Sequence, residues 1–324
     1  MKKKEPRWKQ EQKERKSRKS RLWVRWFLLL AVLLLLGGLT VKIFRIVQSS
    51  GWDGKERATF AVVNDGVGLV SFSPKDKELV LLLIPNGTQI ELTHGYGFYR
   101  IEAITRLEEI EKRKDLLQES LGENFGIAVN GWMKSAVGER GLAFSQSEIL
   151  DELVSQIEGR GETNLSFWDL VRLWWQIRGV RSDKIHSFDL GQMDILKESR
   201  LADQEMIFTI DRDLFDTRVG KFFLEPRFKT DGLTIEVLNG TSYPGLANQA
   251  ARIVTNLGGE VVWVGDSGVK SSKSKVQSQK DKRNLYPVKK LIQIFGGFWE
   301  EKEEGRADIT LILGEDYLQK LNQK

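Results

Sequence analysis

Apolar residues fall along this chain in three kinds of run. One is continuous: residues 26–41 read Trp-Phe-Leu-Leu-Leu-Ala-Val-Leu-Leu-Leu-Leu-Gly-Gly-Leu-Thr-Val with no charged side chain. Others are short, aliphatic and bounded by turn residues, the pattern of strands. The rest recur at three- and four-residue spacing, the pattern of helices. The long run comes first, and everything after residue 58 alternates between the other two.

Residues 59–63, 67–72 and 78–84 are predicted strands. Asn64-Asp65-Gly66 and Ser73-Pro74-Lys75-Asp76 separate them with turn chemistry. Residues 78–84 are nearly all aliphatic, which predicts a central strand buried on both faces. Pro85-Asn86-Gly87 closes it, and 88–92 resumes an extended run. Ile101, Ile104, Leu107 and Ile110 predict a helix over 101–121. A short strand is expected at 126–129 and an amphipathic helix at 147–156. The next helix has a marked start. Ser166 and Asp169 form a capping-box-like pair, with Leu165 and Leu170 at staple positions. Leu170, Leu173, Trp174 and Ile177 then form its inward face. Trp168, Trp174 and Trp175 could be a sugar-stacking platform, but their spacing favours packing against a sheet. Residues 184–190 and 207–210 read as further extended pieces.

The C-terminal part reads more simply. A strand at 233–238 leads through Asn239-Gly240-Thr241-Ser242-Tyr243-Pro244-Gly245 into a helix ending near Leu257. Ser242 or Tyr243 is the expected cap, with Pro244 near the first helical position. Gly258-Gly259 stops that helix, and a strand follows at 261–264. Residues 266–283, mostly Ser, Lys and Gln, are predicted to be a flexible loop. A helix at 287–295 and a strand at 307–313 complete a β-α-β-α-β order. Asn239, Gly240, Thr241, Ser242 and Gly245 are candidate anion-binding residues at a helix N-terminus. The alternative is that they only make the turn. The lysines of 270–283 are a second candidate for anionic polymer, against a solvated loop.

Charge sets the orientation. Residues 1–25 hold twelve Lys/Arg against three Glu, a balance of +9, in a chain of 50 basic and 45 acidic residues. The remaining 299 residues therefore carry 38 basic and 42 acidic, a balance of −4. Sixteen uncharged residues at ~1.5 Å each span roughly 24 Å. Flanking apolar positions lengthen the run if Arg25 and Lys42 snorkel. Trp23 and Trp26 sit where interfacial aromatics would. The basic flank should stay cytoplasmic and the rest should lie outside. A cleaved signal peptide is the alternative, but no clear small-x-small site follows and Lys42 and Arg45 come soon after. No DNA- or RNA-binding motif accompanies the tail, so anionic lipid rather than nucleic acid is its expected partner.

The chain has no cysteine and two histidines, His94 and His186. That excludes disulfides, thiolate metal sites and a cysteine nucleophile. A multi-histidine metal site is excluded by count, and no Gly-x-Ser-x-Gly elbow is present.

Two resemblances emerge from these residues. Ile235-Glu236-Val237-Leu238-Asn239-Gly240-Thr241, Gly245-Leu246-Ala247, Gly258-Gly259 and Ala307-Asp308-Ile309-Thr310-Leu311-Ile312-Leu313-Gly314 with Asp316-Tyr317 resemble the LytR C-terminal domain over 232–318. Val70-Ser71-Phe72-Ser73-Pro74-Lys75 followed by Val80-Leu81-Leu82-Leu83-Ile84-Pro85, then Tyr96-Gly97, Arg100-Ile101 and Thr163-Asn164-Leu165-Ser166, are similar to a LytR-CpsA-Psr catalytic domain over about 58–190. The resemblance implies transfer of a phosphoryl-linked glycopolymer from a polyprenyl pyrophosphate lipid to peptidoglycan, with Mg²⁺, arginines and acidic residues. This chain departs from the pattern where it matters. Asn86-Gly87 replaces Arg-Asp, Gly66 replaces a catalytic Asp, and the later Arg-rich segment has no counterpart between Trp132 and Ser166. Phosphoryl transfer needs positive charge against the moving group.

The expectation is therefore an α/β protein with one transmembrane helix. It comprises a basic tail (1–25), an anchor (26–47), a linker (48–58), a degenerate LytR-CpsA-Psr-like α/β domain (59–228) and a small LytR C-terminal-like domain (229–324). It is expected at the cell membrane with both domains extracytoplasmic, binding wall glycopolymer or an envelope partner as a non-catalytic protein without cofactor or metal. The competing expectation is a divergent transferase. Asp65 and Asp76 would then hold Mg²⁺, with Arg100 on phosphate.

Overall fold

The computed structural model describes residues 51–64, 66–135, 144–200 and 206–322. The basic tail and the apolar run fall outside them. Among the described residues no helix is long and apolar enough to cross a membrane. From Gly51 onward the chain forms one compact unit, with mixed α/β architecture and three sheets.

The first sheet has the order β7-β6-β1-β2-β3-β8. These strands are β1 (Ala58–Val63), β2 (Val67–Ser73), β3 (Glu78–Ile84), β6 (Gly131–Lys134), β7 (Glu162–Thr163) and β8 (Ile185–Asp189). The meander β1–β2–β3 follows from its turns. Asn64 donates its backbone N–H to Gly66 O at 2.9 Å. In the second turn Lys77 takes φ 51°, and the Ser73 hydroxyl donates to Asp76 Oδ2 at 3.1 Å. Strand β3 lies between β2 and β8, as its aliphatic run predicts. Period-two alternation sends its side chains to two separate cores. Val80, Leu82 and Ile84 enter one; Leu79 and Leu81 enter the other.

The first of these cores is closed by α1 (Ile101–Glu111), α2 (Leu116–Phe125) and a second sheet, β5-β4-β10-β9. That sheet is built from β4 (Thr88–Leu92), β5 (Gly97–Arg100), β9 (Leu196–Arg200) and β10 (Met206–Ile210). The other core is closed by α3 (Gln146–Ile157) and α4 (Phe167–Ile177). Both helices start with a full capping box, Ser145/Glu148 and Ser166/Asp169. The helix predicted over 101–121 is two helices. The intervening Lys112-Arg113-Lys114-Asp115 offers nothing to bury, and Lys112 ends α1 at φ 55°. The strand expected at 126–129 is absent; pairing begins at Gly131. Strand β9 escaped the periodicity because its sequence, Leu-Lys-Glu-Ser-Arg, is polar and forms an edge.

After α5 (Arg212–Arg218) and α6 (Pro226–Asp231), a third sheet forms entirely from residues 234–313. Its order is β12-β11-β15-β13-β14, with β11 (Thr234–Asn239), β12 (Glu260–Asp266), β13 (Lys275–Ser278), β14 (Phe298–Glu301) and β15 (Ile309–Leu313). Helices α7 (Leu246–Asn256), α8 (Tyr286–Phe295) and α9 (Glu315–Asn322) pack on it. The simple β-α-β-α-β order is thus incomplete. The segment 266–283 is not a loop throughout, because β13 and a 3₁₀ turn at Lys280–Asn284 lie in it. Of β13 only Val276 carries a buried apolar side chain; its backbone pairing to β14 and β15 forms the strand. The cap of α7 also differs. Gly245, at φ 86°, is the N-cap and Pro244 lies before the helix.

Candidate functional site

Three places bring the candidate residues into view. The first is the corner where the β1–β2 turn meets the end of β3. Val67 pairs with Ile84, so Gly66 and Pro85-Asn86-Gly87 lie at the same end of the sheet. The corner is closed by β10. Phe208 donates its backbone N–H to Gly87 O at 3.1 Å, and a Cβ on Gly87 would stand 3.3 Å from the Phe208 ring. Any side chain there is crowded. Asp65 lies outside the described residues.

The other proposed catalytic groups do not join this corner. Asp76 sits in the turn before β3, at the opposite end of a seven-residue strand; at ~3.3 Å per residue that is roughly 20 Å away. Its carboxylate holds the Ser73 hydroxyl instead. Arg100 pairs with Gln89 across β4–β5, and its guanidinium lies 3.7 Å from Glu102 Oε1. Of the two positions proposed for Mg²⁺, Asp76 therefore does not reach this corner. Among the described residues no group of three or more His, Cys, Asp or Glu is placed to hold a metal.

The second place is the loop cluster at the C-terminal ends of β11 and β15. Here β11 lies between β12 and β15, parallel to both, so the chain leaves it to one side and returns on the other, the kind of crevice where α/β sheets bind ligands. In this protein the crevice is filled by its own backbone. Gly240 N–H donates to Leu313 O at 2.9 Å, and Ser271 N–H donates to Gly240 O at 2.7 Å. A Cβ on Gly240 would lie 2.6 Å from Leu313 O. Asn239 Oδ1 accepts from Thr241 N at 3.0 Å and Thr241 Oγ1 at 2.8 Å, while its Nδ2 donates to Tyr243 O at 2.9 Å. Asp316 Oδ1 accepts from Ser274 N at 2.7 Å, Ser274 Oγ at 2.8 Å and Tyr317 N at 2.8 Å. Asn239 thus braces its own loop, while Gly240 and Asp316 both hold the 271–274 segment. Asn239, Gly240 and Thr241 are occupied in this bracket. Ser242 and Gly245 stay exposed beside the α7 N-terminus. Of the basic residues proposed with 270–283, Lys275 pairs with Glu300 at 3.4 Å and Lys282 with Asp308 at 2.6 Å. Arg283 stacks on Trp299 at 4.8 Å. The Lys282 ammonium and the Thr234 N–H and hydroxyl hold the Asp308 carboxyl down at about 2.

The third place is the seam between the two halves of the unit, which the periodicity analysis did not anticipate. Tyr317 donates its hydroxyl to Glu123 Oε1 on α2 at 2.7 Å. Glu123 Oε2 is buried without a hydrogen-bond partner, and burial raises this carboxyl above its ordinary value. Burial likewise pushes the Tyr317 phenol up. Nearby, His94 Nε2 lies 2.7 Å from Glu119 Oε2, and Lys320 on α9 lies 3.7 Å from Glu119 Oε1. Arg252 clamps Asp216 with two bonds, at 2.6 and 2.8 Å. Arg57, 8% exposed, donates its backbone N–H to Glu225 Oε2 at 2.5 Å and its Nε–H to Leu224 O at 2.8 Å. On the same seam a cleft of about 690 Å³ is lined by Lys55, Lys75, Arg227, Asp231 and Tyr286, among others. It carries three basic side chains to one acidic. The Asp-Tyr motif was the one sequence signal pointing to this seam; the seam's pairs include residues 36 and 194 positions apart.

The comparisons with known proteins divide along the chain. Residues 232–317 match a family model, LytR_C, described as LytR cell envelope-related transcriptional attenuator. No curated protein sequence matches the chain. Solved structures resembling it include TagT of Bacillus subtilis, at 15% identity over 52% of this chain and 90% of that one, with a TM-score of 0.38. TagV of B. subtilis shows 12% identity over 51% and 95%, also at 0.38. A LytR-CPS2A-psr family protein, YwtF (TagT), described with bound octaprenyl pyrophosphate lipid, shows 14% identity over 64% and 94%, at 0.38.

Proposed function

We infer that this chain, whose residues 232–317 belong to the LytR C-terminal domain family, is a membrane-anchored envelope protein that binds and does not catalyse. The basic tail and uncharged run supply the anchor, and the two α/β halves work outside the membrane on anionic wall polymer or an envelope protein. The observation that carries the non-catalytic reading is the corner at the end of β3. Gly66, Asn86 and Gly87 stand where the resembled transferases carry acids and an arginine, and Phe208 packs against Gly87. A transferring phosphoryl group needs fixed positive charge there. Loss of one such donor costs about 10²–10³-fold in rate.

The cleft lined by Lys55, Lys75 and Arg227 offers a polyanion more positive than negative charge, which suits recognition without chemistry. The test is direct. The full chain is incubated with a polyprenyl pyrophosphate-linked glycopolymer, peptidoglycan as acceptor and Mg²⁺, and release of polyprenyl monophosphate is followed. No release is expected, with retention of the protein on isolated wall material. Release that disappears in Arg100→Ala would overturn the reading and establish the transferase.

A further inference from the structure

Helix α4 is amphipathic in an unusual sense. Leu170, Leu173 and Ile177 are buried in the core, as is Asp169, the capping residue. At 100° per residue the opposite face carries Phe167, Trp168, Val171, Arg172, Trp175 and Arg178. It has three aromatic rings, two arginines and no carboxylate. Phe167 is 53% exposed and Trp175 64% exposed. The Arg178 guanidinium lies 4.3 Å from the Trp175 ring and 5.0 Å from Trp174; that of Arg172 lies 5.3 Å from Trp168. A water-facing helix surface of this composition exposes apolar area that a solvated face would not.

The same helix receives the incoming chain. Gly51 N–H donates to Asp169 Oδ2 at 3.2 Å, Arg172 Nη1 to Trp52 O at 2.8 Å, and Gln176 Nε2 to Gly54 O at 3.5 Å. These contacts run along one flank of α4, at i, i+3 and i+7. The uncharged run ends at Val41, ten residues before Gly51. Ten residues reach at most about 35 Å. On the anchored reading, this flank of α4 therefore lies within that reach of the end of the uncharged run.

We propose that α4 is a membrane-docking element: the exposed Phe167 and Trp175 insert at the outer headgroup boundary and the exposed Arg178 contacts lipid phosphates, with the half-buried Trp168 and Arg172 supporting them from the flank. Tryptophan and arginine together are the side chains that settle at that depth. Interfacial helices bind by a buried apolar face plus cationic attraction to anionic lipid. The docking rests on the anchored reading above. It would hold the two α/β halves at a fixed height over the membrane rather than leaving them free on a linker.

The absence of cysteine makes the test clean. Three single-cysteine variants of the full chain, Val171→Cys, Val269→Cys and Leu33→Cys, are nitroxide-labelled and reconstituted in nanodiscs containing anionic phospholipid. Collision with oxygen and with a water-soluble nickel chelate is measured by EPR. The expected result is lipid-type accessibility at 171 and 33 and aqueous accessibility at 269. Adding Trp175→Ser with Arg178→Gln in the Val171→Cys background should shift that label to aqueous. An aqueous label at 171 with a lipid-exposed label at 33 overturns the docking and leaves the anchor standing. Aqueous labels at both positions overturn the anchor and the docking together. A label at 171 that is aqueous in nanodiscs and immobilised only by soluble wall glycopolymer overturns the docking in favour of a sugar platform.

Discussion

Replacing Tyr317 by Phe removes one oxygen, and its consequence is set by Glu123. That carboxylate is buried, with Oε2 unpartnered and Oε1 held only by the Tyr317 hydroxyl at 2.7 Å. Burial raises its pKa, and the tyrosine hydrogen bond opposes the rise. A hydrogen bond to a charged group is worth about 1.5–3 kcal/mol, against about 1 kcal/mol between neutral groups. A folded-state value above the unfolded one means this site favours folding most below the ordinary glutamate range. The advantage is lost as pH rises through the raised value. Tyr317→Phe should therefore cost about 1 kcal/mol at pH below the raised value, where the carboxyl is protonated, and about 2–3 kcal/mol above it. In Tm that is a drop of a few degrees widening to about 4–10 °C. Urea and thermal unfolding of both proteins between pH 4 and 9 give the measurement. In a Glu123→Gln background the penalty should be about 1 kcal/mol at every pH, because no ionised partner remains. A Tyr317→Phe penalty independent of pH, or one that shrinks with rising pH, would refute the assignment of an ionised, buried Glu123 to this seam.

Other expectations are simpler. Gly314→Ala should destabilise by several kcal/mol, because a Cβ there would lie 2.3 Å from the Lys273 carbonyl carbon and neighbouring backbone cannot yield; chemical denaturation reads it. Leu82→Ala empties a fully buried position on β3 and should cost about 2–5 kcal/mol in the same assay. Asp308, held at about 2, lends stability above its ordinary value of 3.8 that is lost as pH falls through about 2. An Asp308→Asn variant should therefore lose less stability than wild type across that window, measured by acid titration of intrinsic fluorescence. Lys75→Glu with Arg227→Glu should reduce retention on anionic wall polymer if the seam cleft is where it binds, without changing the secondary structure seen by circular dichroism.

Local chemistry made much of this fold legible in the sequence. The meander of β1, β2 and β3 was readable because Asn64–Gly66 and Ser73–Asp76 are turn formers between aliphatic runs. The start of α4 was readable because Ser166 and Asp169 satisfy backbone donors three residues apart. Strands β9 and β13 were not, since their side chains are polar and their existence depends on hydrogen bonds from distant partners. The break at Lys112 was hidden for a related reason: charge is tolerated in helices, and only packing decides that two short helices are better than one.

The candidate site divides in the same way. Residue identity alone excluded cysteine and multi-histidine chemistry, and the resemblance to the LytR-CpsA-Psr pattern set Asn86-Gly87 and Gly66 against its charged residues. Only tertiary structure separated Asp76 from the corner by the length of β3, filled the crevice beside Gly240 with Ser271, and set Tyr317 against Glu123. Neither periodicity nor spacing carries that information, because long-range contacts are fixed by how whole layers pack and by which buried polar atoms must find partners.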